Sequence, residues 1–165
     1  MARQERLIHE WFAARARPGE TYLGWGLLSK YPNPTINHAG NAVAAVRGEH
    51  RRAQRQAMVE QLGLDPARRL LPGVTDPFAA VSDQRLILGR QGGFRFTPKD
   101  ELLALERPAF RLLWWDESHP GPDERHVVIQ VADGTWWDTS SVVHDGYNSA
   151  GFLHALGPNA VHVGG

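Results

Sequence analysis

Near residue 77 the spacing of apolar side chains changes from about 3.6 residues to about 2, and this switch constrains the fold more than any other feature of the chain. Before it the sequence carries helical signals. Leu7, Ile8, Trp11 and Phe12 form one apolar stripe, predicting a helix over residues 3–15 that Pro18-Gly19 ends. Residues 21–28 alternate, predicting a strand whose richer face holds Thr21, Leu23, Trp25 and Leu27. Gly24 and Gly26 weaken that strand or mark a bend. Residues 42–62 are rich in Ala, Arg, Gln and Glu, and Gly63 is a fitting stop. Asp65 is placed to cap a short helical turn that begins at Pro66.

After residue 77 short strands and turns alternate. Strands are predicted at 78–81, 85–88, 94–96, 102–105, 110–115, 125–131 and 135–142, and a last helix at 147–156. That helix can cap an open end and bury Phe152 and Leu156, leaving the tail loose. Asp133-Gly134 is a strong hairpin signal. A two-residue loop sets Ile129 beside Asp138. A three-residue loop over residues 133–135 sets Val131 beside Trp137 and leaves Gln130 and Asp138 outward. The second register buries no unpaired carboxylate and is preferred. Trp25, Leu86, Leu112, Ile129 and Phe152 are expected to share one core. The expected fold class is α+β, mainly β: a small barrel or bent antiparallel sandwich with a C-terminal capping helix and a helical insertion after the first strand.

At 165 residues the chain fits a single domain, 1–165. Its parts are an N-terminal helical segment 1–17, an insertion 30–75, and a core of 18–29 with 76–157. The core opens on Pro18-Gly19-Glu20 and continues with Ala80-Val81-Ser82-Asp83-Gln84-Arg85-Leu86-Ile87-Leu88, then residues 98–105 and 127–134. In element order and in these segments it resembles the bacterial form of the pleckstrin-homology-like (PH-like, GRAM-like) family. The resemblance implies a binding module on a barrel-like frame and leaves the ligand open. The first helix and the long insertion depart from the family pattern.

Net charge is zero, but residues 1–69 carry +5 and residues 70–165 carry −5. This balance argues against nucleic-acid binding as the main role. With no cysteine, thiolate nucleophiles, disulfides and Cys-bound metals are excluded. The start of the chain lacks an apolar signal region, and the longest strictly apolar runs are four or five residues. The expectation is a bacterial, cytoplasmic protein with no transmembrane segment.

Arg47, Arg51, Arg52 and Arg55 share one face of the insertion helix, a stripe able to hold phosphates or anionic lipid headgroups. In lipid-binding members of the resembled family, basic residues on the connection after the first strand contact headgroups. The plain alternative is a solvated face, and a third is docking onto the acidic loop 116–124. Trp114-Trp115 and Trp136-Trp137 must each put one ring on either side of a sheet. The outer rings either form a partner surface or lie beneath the N-terminal helix. Eight histidines show no metal-ligand spacing, so no metal and no cofactor is expected. There is no GxSxG, P-loop or dinucleotide fingerprint. A His/Asp enzyme site would need His126, His144 and Asp145 in one pocket. The function expected is a non-catalytic module for protein–protein or self-association. The alternatives are an anionic-ligand site at the arginine stripe and a small His/Asp enzyme.

Overall fold

The computed structural model describes residues 3–29, 42–70, 76–92, 96–117, 124–144 and 146–164. Two sheets carry the fold, a four-stranded antiparallel meander and a three-stranded antiparallel meander extended by one short parallel strand. The first sheet has the order β1-β2-β3-β4, with β1 Tyr22–Leu27, β2 Pro77–Ser82, β3 Arg85–Gln91 and β4 Pro98–Glu106. The second comprises β5 Phe110–Glu117, β6 Glu124–Val131, β7 Trp136–Val142 and β8 Ala160–His162, in the order β7-β6-β5-β8. A bridge between Ser29 and Ser140 links them beside β1 and β7, but the sheets do not close into a barrel. The mainly β, α+β expectation therefore holds as two sheets facing each other across a core.

Alternation along β2 and β3 assigns one core to each side of the first sheet. Ala79, Val81, Leu86 and Leu88 face inward with Leu112, Val127, Ile129, Trp137 and Phe152. Phe78, Ala80 and Ile87 face outward, where α1 (Arg3–Ala13) covers them with Ile8, Trp11 and Phe12. Trp25 belongs to this outer core, which corrects the expectation of one shared core. The correction follows from the pleat. Trp25 lies between Gly24 and Gly26, and those two glycines point inward. There α3 (Ser149–Leu156) lies so close that a Cβ on Gly24 would sit 2.8 Å from the Ala155 Cβ, and one on Gly26 2.8 Å from Phe152. The glycines make room for the last helix, and Phe152 and Leu156 are fully buried.

Two further features depart from the expectations. The β6–β7 loop does hold three residues, but they are 132–134, so Ile129 opposes Trp137 and Val128 opposes Asp138. Gly134, at φ +86°, supplies the left-handed position that closes such a loop, and Asp133 Oδ1 accepts from the Thr135 amide at 2.8 Å. The slip leaves each side chain on its expected face. The tail is not loose: residues 160–162 pair in parallel with Leu112, Leu113 and Trp114. The loop 30–41, part of the strand proposed at 94–96, and most of the acidic loop lie outside the described residues.

Polar side chains lock the corners. Glu20 accepts from Arg85 Nε at 2.8 Å, Ser82 Oγ at 2.6 Å and the Arg17 amide at 2.8 Å. Burial alone would raise this carboxyl; Arg85, the Arg17 amide and Ser82 outweigh it and hold the group down to about 2. Arg107 donates to the carbonyls of Ser82, Ala155 and Leu156, tying the β4–β5 corner to the end of α3. Among the described residues no helix is long and apolar enough to cross a membrane.

Candidate functional site

A buried cluster of ionisable groups lies on the outer face of the second sheet. The pleat places Glu124, His126 and Val128 of β6 there, with Trp136, Asp138 and Ser140 of β7 and Leu113 and Trp115 of β5. In a bare two-layer sandwich this face would meet water. Here α2 (Ala42–Gln61) and the turn Pro66–Arg68 lie across it. Val59 and Leu64, assisted by Met58 and Leu62, pack on Leu113, Trp115, Val128 and Trp136. Trp136 Nε1 donates to the Asp65 carbonyl at 2.7 Å, and the Leu70 amide donates to the Trp136 carbonyl at 2.7 Å. Asp65 caps its turn through the Ala67 amide at 2.9 Å, as the sequence predicts.

Arg55 stands one helical turn before Val59 and therefore points at the same sheet. Its Nε is 2.5 Å from Asp138 Oδ2, while Arg69 Nε donates to Oδ1 at 2.6 Å. The Asp138 side chain has no exposure, and neither does that of His126, whose Nε2 is 3.8 Å from Asp138 Oδ2. The His126 ring packs against Trp115 at 4.2 Å between centroids. Glu124, also buried, occupies the same face. Burial alone would raise the Asp138 carboxyl; nearby His126 and the two guanidinium groups outweigh it and hold the group below its ordinary value. Burial pushes His126 down, Asp138 pulls it up, and Arg55 and Arg69 push it down again; the net direction is down.

His126 and Asp138 form an acid–base pair beside a buried serine, Ser140. Solvent does not reach it, because Trp115 and the two arginines close the face. The pair fixes charge and carries a proton-accepting imidazole; it offers no path to a substrate. His144 is exposed at the end of β7, in an environment unlike that of His126, and Asp145 lies outside the described residues. Among the described residues no three His, Asp or Glu side chains are gathered as metal ligands. Two of the clefts among the described residues are shallow. One, of about 350 Å³, lies between Pro108–Arg111 and residues 130–134; the other, of about 270 Å³, lies between His144 and the start of α3. The second is lined by His144 and by Ser149, whose hydroxyl accepts from Arg125 at 3.2 Å; the described lining of the first holds no histidine, serine or carboxylate.

The four arginines of the stripe divide. Arg52 is exposed and Arg55 is turned inward onto Asp138; the side chains of Arg47 and Arg51 lie outside the described residues. Three of the four candidate tryptophans, Trp115, Trp136 and Trp137, are buried within the chain. Trp114 is half-buried, flanked by the His162 ring and the Arg125 guanidinium. The outer rings Trp115 and Trp136 lie beneath α2, not beneath the N-terminal helix. Asp138 and Arg69 were not singled out by the sequence: an aspartate at an outward strand position carries no local sign of a partner 69 or 83 residues away. Comparison with protein-family models, curated proteins and solved structures finds no match to this chain.

Proposed function

We propose that the chain is a non-catalytic binding module on a PH-like frame and that it self-associates through the open edge of its first sheet. The observation that carries this reading is β4. It is the terminal strand of the first sheet, nine residues long, with Lys99, Asp100, Glu101 and Leu102 exposed. The outer strand β8 of the second sheet, by contrast, has three residues. An open edge presents unpaired amides and carbonyls that a second strand satisfies. Antiparallel pairing of two copies about Leu102 sets the two Leu102 side chains side by side on one face. Two meanders and a C-terminal helix across the core support the PH-like frame. The enclosed His126–Asp138 pair speaks against catalysis, and the inward turn of Arg55 speaks against a four-arginine lipid site.

Sedimentation velocity over a concentration series tests it. The wild type is expected to dimerise with rising concentration, and Leu102→Lys to stay monomeric with an unchanged melting temperature. A wild type that is monomeric throughout, or a dimer indifferent to Leu102→Lys, overturns the edge reading.

A further inference from the structure

The enclosed charges of the second sheet hold the one long helix that this sheet does not itself anchor through backbone pairing. α2 reaches the sheet through Met58, Val59 and Arg55, and Leu62 and Leu64 just after the helix extend the apolar contact. We propose that α2 is a proton-operated latch: neutral His126 lets Arg55 and Arg69 close on Asp138, and protonation of His126 releases the helix.

The charges facing His126 come from every element around it. β7 contributes Asp138, α2 contributes Arg55, the segment after Pro66–Arg68 contributes Arg69, and β6 contributes Glu124 two residues away on the same face. Trp115 of β5 covers the ring without charge. Among the described residues these are two guanidinium groups and two carboxylates. A proton on His126 adds a third cation in a place with no exposure, and both Asp138 oxygens already face guanidinium groups. Lifting α2 removes Arg55 and admits water, so the open state binds the proton more readily than the closed one. The sign follows from this. Burial lowers the affinity of His126 for protons in the closed state, so closure is fully present above the ordinary imidazole value of 6.5 and is lost as pH falls below it. One proton per opening weakens closure by up to about tenfold per pH unit. Opening uncovers Trp115 and Trp136.

Hydrogen exchange on the full chain between pH 8 and pH 5, corrected for intrinsic rates, reads the latch. Protection of residues 49–61 is expected to fall by up to about tenfold per unit below pH 6.5 while β2 and β3 stay protected, with a parallel change in tryptophan emission. His126→Gln abolishes the response; His50→Gln, an exposed histidine on α2, keeps it. Protection of α2 that is flat with pH, or a response that survives His126→Gln, overturns the proposal. If His126→Gln does not fold, the His126 imidazole is titrated by NMR in the wild type: a midpoint below 6.5 supports the latch and one at or above 6.5 overturns it.

Discussion

Each sheet has a helix on its outer face, and the two helices are held by different physics. α1 lies on Trp25, Phe78, Ala80 and Ile87 through Ile8, Trp11 and Phe12, an apolar contact in which Trp11 Nε1 also donates to the Lys99 carbonyl at 2.5 Å. α2 lies on Trp115, Val128 and Trp136 with a smaller apolar contact and with Arg55 closed on buried Asp138, which Arg69 of the following segment also holds. Apolar burial is nondirectional and insensitive to pH. An enclosed charge cluster is directional, depends on every partner being present, and responds to protons. The first helix is therefore a fixed layer, and the second is conditional.

The largest effect that separates them should come from α1. Trp11→Ala should cost about 4 kcal/mol in urea unfolding, nearly the same at pH 5 and pH 8, because it removes a large buried ring from an apolar layer. A strongly pH-dependent loss would break the contrast. Next comes Asp138→Asn, which keeps size but leaves Arg55 and Arg69 without their counter-charge; it should cost about 3 kcal/mol at pH 7.5, and less at pH 5 where closure is already weakened. A cost below about 0.5 kcal/mol would mean that the cluster holds nothing.

The two helices also differ in how far the sequence reveals them. The stripe of α1 is local: Ile8, Trp11 and Phe12 announce both the helix and its buried side. The helix of α2 is equally visible, but its inner face is not, because Arg55 reads as solvated or ligand-binding until Asp138 is placed beneath it. The same long-range gap hid the cover of Trp115 and Trp136. Strand alternation puts one ring of each pair on either side of the sheet, but no periodicity says which helix lies over the outer one. The β6–β7 hairpin was legible in position and in face but slipped in register, since Asp133-Gly134 fits a loop that starts at Ala132 as well as one that starts at Asp133. β8 was missed because three residues after Gly157-Pro158 carry no period and gain a partner only in β5.

Glu20 and Arg85 pair at a corner of the first sheet. This too is an enclosed ion pair, but every carboxylate oxygen is bonded and no imidazole faces it. With its folded value near 2 against an ordinary 4.5, its stabilisation is fully present above about pH 4.5 and is lost as pH falls towards about 2. Acid unfolding monitored by circular dichroism should therefore show a loss in this window that Glu20→Gln removes, well below the window of His126. The smallest effect is expected at Arg52, exposed on the same helix as Arg55: Arg52→Glu should change stability by less than about 0.5 kcal/mol. A larger loss would place Arg52 in the cluster as well.

The inward turn of Arg55 is the claim on which the contrast between the helices rests, and a double-mutant cycle of Arg55→Ala and Asp138→Asn at pH 7.5 measures it. The two losses are expected to be coupled by about 1 kcal/mol or more; losses that simply add would show that Arg55 is a solvated surface arginine and that α2 does not close on the charges of the second sheet.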